Sequence, residues 1–401
     1  MININSLERV KAALKFENPD RVPVMKFFGK TDVFMMARIP SSQWQPGHHE
    51  SENGLFPHVG HELIIKSGLW KWDMPDWAKD NPKYKRNKWL KIEREEIDEW
   101  GNIWKRAGID TMGHPGEPRL LDYKDMDEYL SYYTPIYDDE SSYSFYLDLK
   151  NKFGQNKYHM ANLELGPSQM AGQMRGFDTY LIDHYRRKTD LKQLLEYITD
   201  QYIKFEKSYV NYGLEPHGFL LYDDLGTQKG PFWSPKVFKE FYEPVYKKLI
   251  DTAHDLGCDF MLHCCGQIDP LIPVFIEWGL DALELDSPRM TGYNYLAKYR
   301  GKIAFFACLD IQRIYPLASP EDCEREVWHM MRNLGTPNGG FGAYFYPQED
   351  HIRVSSENIQ AFERGLEKYG IYANIPNHWW TYPIEEVWID NEVPPTPPMK
   401  A

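Results

Sequence analysis

Asp259-Phe-Met-Leu-His263-Cys264-Cys265-Gly-Gln-Ile-Asp269 reads as a buried β-strand that runs into metal-ligand chemistry. Successive side chains on a strand point to opposite faces, so His263 and Cys265 share a face and Cys264 takes the other. An imidazole and a thiolate side by side can grip one zinc ion. Cys265 can equally serve in packing, so the pair alone leaves both readings open.

The same kind of segment recurs along the chain. Short apolar runs at Val22 to Phe28, Tyr158 to Leu165, Gly218 to Tyr222, Ala282 to Leu285, Ile303 to Cys308 and Gly340 to Tyr346 alternate with amphipathic stretches such as Leu191 to Tyr209, Pro235 to Leu256 and Pro320 to Leu334. Repeated βα units of this kind predict a parallel α/β fold, and seven strand candidates point to a (β/α)8 TIM barrel with one strand unread. With 401 residues and 42% hydrophobic composition, the chain is expected to form a single domain over 1–401. Residues from about 30 to 125 break the rhythm and hold Trp44, Trp70, Trp72, Trp77, Trp89, Trp100 and Trp104. They read as an aromatic-rich insertion or lid, its rings forming either a satellite core or the wall of a flat substrate pocket. The Pro-rich tail at 391–401 is expected to wrap the surface without chemistry.

A formal charge of -13 argues against binding nucleic acid, and the one basic cluster, Lys83 to Lys91, reads as a solvated face. No apolar run approaches the ~20 residues that cross a bilayer, and the N-terminus lacks a secretory pattern, so a cytoplasmic location is expected. Five cysteines, an odd number mostly on or near strands, fit a reduced compartment and not a disulfide framework.

Barrel enzymes place their chemistry at the C-terminal ends of the strands. Collecting polar strand ends gives Glu164, then Tyr222, Asp223 and Asp224, then His263 and Cys265, then Glu284 and Asp286, then Cys308 and Asp310, and finally Gln348, Glu349 and His351. Any one such carboxylate can also cap a helix or pair with a neighbour. Their recurrence at consecutive strands favours a shared site.

Four segments together resemble the uroporphyrinogen decarboxylase superfamily: Asn18-Pro-Asp-Arg-Val-Pro-Val24, Asp223-Asp-Leu-Gly-Thr-Gln-Lys-Gly-Pro-Phe-Trp-Ser-Pro235, His263-Cys-Cys-Gly266 and Ser356-Glu-Asn-Ile359. The resemblance implies a (β/α)8 barrel and one of two activities, porphyrinogen decarboxylation or corrinoid-linked methyl transfer. The decarboxylase branch grips its substrate's carboxylates with an arginine pair after the first strand. Here that stretch reads Met25-Lys-Phe-Phe-Gly-Lys30, and a lysine does not reproduce bidentate guanidinium binding. The methyltransferase branch implies zinc on a His-x-Cys pair and a distant third cysteine. The pair is present as His263 and Cys265, but the matching loop, Tyr344-Phe-Tyr-Pro-Gln-Glu-Asp-His351, has no cysteine.

The third ligand is therefore left among Glu349, Gln348, Cys308, Glu164 and Asp224, with Cys308 and Glu349 carried forward beside His263 and Cys265. A carboxylate in place of a thiolate makes zinc a stronger Lewis acid, suited to polarising an ether oxygen. The expected reaction moves a methyl group from a small molecule, foremost an O-methyl aromatic, to the cob(I)alamin of a separate corrinoid protein. No cobalamin-binding Asp-x-His-x-x-Gly motif occurs in the chain, so the corrinoid is expected on a partner. Catalytic roles fall to Asp223, Asp224, Glu164 and Tyr222, and substrate contacts to Arg175, Gln228, Tyr344 and Tyr346. The alternatives are transfer from methylcobamide to tetrahydrofolate or a thiol, and a decarboxylase-like lyase or ligand-binding barrel; a homodimer stays open.

Overall fold

The computed structural model describes residues 4–27, 29–41, 43, 55–58, 78, 80, 82, 91–108, 113–347, 349–381 and 393–396. The chain divides into two compact units, Met1–Met36 with Lys150–Glu164 and Glu215–Ala401, and Ala37–Leu149 with Leu165–Leu214.

The first unit carries a (β/α)8 barrel. Its strands are β1 (Val24–Met25), β2 (Val33–Met36), β3 (Tyr158–Leu165), β4 (Gly218–Tyr222), β5 (Asp259–His263), β6 (Ala282–Leu285), β7 (Ala304–Ala307) and β8 (Phe341–Tyr344). They pair in parallel in the order β1-β8-β7-β6-β5-β4-β3-β2. At the seam between β1 and β2, Asp32 N donates to Val24 O and Val24 N donates to the Asp32 carboxylate, 2.8 Å each. Asp32 is in turn ion-paired with Arg9 and Arg21. Strand β2 is the one the sequence did not yield, and it lies inside the stretch read as an insertion.

Strands buried on both faces read as continuous apolar runs, as Phe-Leu-Leu in β4 and Phe-Met-Leu in β5 do. The interior is filled side chain against backbone. Phe306 pairs with Gly342 across β7 and β8, and a Cβ at Gly342 would stand 2.3 Å from that ring. The helix Pro235–Asp255 between β4 and β5 starts at a Ser234 cap with proline in its first turn, and it buries Phe238, Phe241, Tyr242, Val245, Tyr246 and Leu249. The helices Pro320–Leu334 and Ser356–Tyr369 likewise start on serine caps, Ser319 and Ser355. No helix among the described residues is long and apolar enough to cross a membrane.

The second unit has its own sheet, an antiparallel hairpin of Glu93–Ile97 and Ile103–Ala107 flanked by Phe56–Pro57 and His114–Pro115. Asp98 organises the turn by accepting from Trp100 N, Asn102 N and Trp104 Nε1, each at 2.9 Å. Of the seven tryptophans, Trp44, Trp70, Trp72, Trp77 and Trp89 lie outside the described residues, as do Lys83 and most of the basic cluster. Trp100 and Trp104 are both buried, Trp100 stacked on Tyr202 at 6.2 Å and Trp104 on His58 at 4.6 Å, so these two build a satellite core. In the first unit, the described part of the C-terminal tail is tied down where His329 Nε2 donates to Pro394 O at 2.9 Å.

Glu206, in the helix Lys188–Asn211, is fully buried, and neither carboxylate oxygen has a hydrogen-bond partner among the described residues. Burial holds its pKa well above the ordinary carboxyl range, opposed only by the charge of Lys207. The folded state thus binds this proton more tightly than the unfolded chain, and its stabilising effect fades as pH rises above the unfolded value of ~4.3. Glu206→Gln is expected to raise the thermal midpoint at pH 8 and to match the wild type near pH 4. Equal midpoints at both pH values would show the carboxylate to be compensated.

Candidate metal centre

Three neighbouring strand ends converge at the C-terminal mouth of the barrel. In the parallel register His263 is the partner of Tyr222 on one side and of Glu284 on the other, so their side chains stand in one row. His263 Nδ1 is hydrogen-bonded to Glu284 Oε2. The other ring nitrogen, Nε2, lies 3.4 Å from Cys265 Sγ and 3.5 Å from Asp224 Oδ1. Cys264 points the opposite way, buried, with its sulfur accepting from Leu225 N at 3.3 Å.

The loop that presents Cys265 is held by contacts of backbone on backbone. Gly266 has φ +93°, and a Cβ there would stand 2.5 Å from Gly226 C and O. Gln267 N donates to Thr227 O at 2.8 Å, tying the loop to the hairpin of Gly226–Thr227 and Gly230–Pro231. Cys265 N donates to Asp224 Oδ1 at 2.9 Å. The Gly in Asp-Asp-Leu-Gly and the Gly in His-Cys-Cys-Gly are thus two halves of one contact.

Burial dominates the electrostatics. It opposes charge on His263, but Glu284, Cys265 and Asp286 outweigh it and lift the imidazole pKa well above its usual value. Burial raises Glu284 and Asp286 together, and for Asp286 the charge of Glu284 adds to it. Asp224 goes the other way, since its contacts with His263 and the Cys265 amide overcome burial and lower it. The Cys265 thiol is pushed up to about 12 by burial, against the pull of His263.

The donor set fits a zinc ion. One ligand atom each from Asp224, His263 and Cys265 lies within 4.8 Å of the others, and more than a third of the Asp224 side chain remains exposed beside them. Three protein donors with an open side match the composition of catalytic zinc sites. A second grouping, His263 with Glu284 and Asp286, also meets within 4.8 Å but is buried throughout.

The remaining expected residues are distributed as follows. Asp223 turns away from the mouth, its carboxylate accepting from Tyr246 Oη at 2.6 Å on the helix Pro235–Asp255. Cys308 Sγ approaches Asp286 O at 3.3 Å, and Glu349 accepts from Tyr315 Oη at 2.6 Å; neither belongs to a convergent donor set among the described residues. Glu164, next to last in β3, has φ 65°, a left-handed conformation rare for a side chain of this kind, and it too is outside those sets. Gln348 lies outside the described residues. Tyr222 is tilted over His263 with centroids 5.1 Å apart, while Tyr344 is buried and Tyr346 half-buried at the end of β8. Gln228 is exposed at the tip of the hairpin. Arg175 is buried in the second unit, paired with Asp183 at 2.9 Å and hydrogen-bonded to Leu120 O, so its guanidinium is engaged by the protein itself.

Sequence reading collected Glu284 and Asp286 as strand ends but gave them no role. The signal for Glu284 was its position, a lone carboxylate inside the apolar run Ala282–Leu285 of the unit next to His263. At the end of β1, Lys26, one of the two lysines in Met25–Lys30, pairs with Glu363 and lies 3.7 Å over the Phe345 ring.

Residues 156–343 match the family model described as uroporphyrinogen decarboxylase (URO-D). The solved structure of a methyltransferase from Methanosarcina mazei superposes with a TM-score of 0.51, covering 92% of this chain and 99% of that one at 16% identity, a likeness of fold. No curated protein matches the chain.

Gly266→Ala is expected to destabilise the protein by more than about 1 kcal/mol, since it adds both a strained φ and a backbone clash. A thermal melt unchanged from wild type would show the two glycine segments free to separate.

Proposed function

We propose, for a chain whose residues 156–343 match the uroporphyrinogen decarboxylase family model, that it is a corrinoid-dependent methyltransferase removing the methyl group of an O-methyl aromatic. The observation that carries this reading is the convergence of Asp224, His263 and Cys265 at the barrel mouth, a donor set with one thiolate and one carboxylate. The internal use of Lys26 by Glu363 and Phe345 argues against carboxylate capture of the decarboxylase kind.

In the proposed reaction the cob(I)alamin of a partner protein attacks the methyl carbon, a cobalt–carbon bond forms, and the carbon–oxygen bond breaks with its electron pair left on the aryl oxygen. Phenolates leave poorly unless that charge is met as it develops. Zinc held by His263, Cys265 and Asp224 would supply Lewis acidity at this point. The protein's own groups do the rest. Tyr222 is kept a neutral hydrogen-bond donor by burial and by the nearby carboxylate of Glu284. Tyr346, whose pKa is pushed up to about 12 chiefly by burial, is a second neutral phenol at the same rim. In this reading either ring would pack on an aromatic donor, and either hydroxyl would donate to the developing phenolate. Binding zinc requires the Cys265 thiol to give up its proton, so loading of the site should weaken as pH falls.

The decisive experiment mixes the zinc-loaded protein with methoxylated aromatics and cob(I)alamin, free or on a corrinoid protein, and follows the visible spectrum. Appearance of methylcobalamin is the expected outcome, with Cys265→Ser and Asp224→Asn each lowering the rate at least about tenfold, as loss of a ligand would. Failure with every methoxyarene, together with consumption of methylcobalamin only when tetrahydrofolate or a thiol is present, would sink the O-demethylation reading. Metal analysis of protein prepared without chelator should give one zinc per chain.

A further inference from the structure

Glu284 makes the closest polar contact of His263, one of the three proposed ligands. Its carboxylate is completely buried at the end of β6, and Oε1 has no hydrogen-bond partner among the described residues. A buried charged group of this kind is costly, and a leucine would pack at the same place at lower cost. Its register is also specific. Glu284 and His263 are direct partners across parallel strands, so a slip of one residue would put Leu283 or Leu285 against the imidazole.

We propose that Glu284 is the positioning residue of the metal centre, an inference that rests on reading Asp224, His263 and Cys265 as zinc ligands. A carboxylate only accepts, so the proton of the neutral imidazole sits on Nδ1 and the lone pair on Nε2. Nε2 is the nitrogen that faces Cys265 Sγ and Asp224 Oδ1. The hydrogen bond therefore fixes both the tautomer and the ring rotation needed for a ligand, and it makes the imidazole a stronger donor. Two further contacts hold the same residue. Tyr222 leans on the ring from β4, and Asp223 N donates to His263 O at 3.0 Å, pinning the backbone from which the ring projects.

The test is metal binding, not turnover. Zinc affinity is measured by competition with a chelator in wild type, Glu284→Gln and Cys265→Ser, and the cobalt(II)-substituted proteins are examined for the thiolate-to-cobalt charge-transfer band. Glu284→Gln keeps the volume and loses the charge. It is expected to fold, to bind zinc about 10–100-fold more weakly than wild type, and to retain the charge-transfer band, because Cys265 still ligates. Unchanged affinity in Glu284→Gln would overturn the proposal. So would loss of all metal from Glu284→Gln with retention in Cys265→Ser, which would make Glu284 a ligand in the buried grouping with Asp286. If the glutamine variant does not fold, Glu284→Asp, which keeps the charge with a shorter reach, replaces it; weaker binding with the band intact supports positioning, and wild-type affinity overturns it. Absence of zinc binding by the wild type would sink the metal reading itself, and is told apart because no variant is needed to see it.

Discussion

The parallel register of β4, β5 and β6 is the constraint on which the site depends. Paired residues of parallel strands lie at one height and on one face, so Tyr222, His263 and Glu284 arrive side by side without any loop having to place them. The remaining candidate donors each follow two residues further on, Asp224 after β4 and Cys265 after β5. Because a slip of one residue would turn every side chain of a strand to its other face, the apolar packing that fixes the register also fixes the chemistry. A site on rigid strand ends gains in definition what a site on free loops would lose.

Charge accounts for why such a cluster persists inside a barrel. Asp224, Glu284 and Asp286 gather around one imidazole, and the burial that raises Glu284 and Asp286 measures the cost of keeping them from water. A divalent cation among Asp224, His263 and Cys265 would offset much of that cost. Metal binding and folding of this mouth are then coupled, and the coupling runs through protons, since the thiol must be released from its own before it can ligate.

Much of this was legible in the sequence, and what was not has physical reasons. Seven of the eight barrel strands stand out as apolar runs bounded by turns, but Val33–Met36 follows β1 after only seven residues, where no amphipathic stretch announces it. Asp224, His263 and Cys265 could be named as candidates from their strand-end positions. The separation of Asp223 from Asp224 follows from strand alternation beyond Tyr222, which sends Asp223 back to Tyr246 and Asp224 forward to His263. The part played by Glu284 depends on how two strands 21 residues apart are registered, and a single strand's pattern does not encode that. Arg175 had the right chemistry for a substrate carboxylate, but Asp183 in the next helix, Phe177–Arg186, claims it.

As the third proposed ligand, Asp224 would differ from a cysteine by having two donor atoms. One oxygen accepts from the Cys265 amide and faces His263, and the neighbouring Asp223 is clamped to a helix, so the backbone beneath Asp224 is held on both sides. Its second oxygen makes no hydrogen bond among the described residues. A carboxylate so anchored can change its denticity by rotating one bond, whereas a thiolate would have to let go. With zinc bound as proposed, Asp224 would be a ligand able to make room for an incoming group and reclaim the position afterwards, with no strand, loop or hairpin displaced.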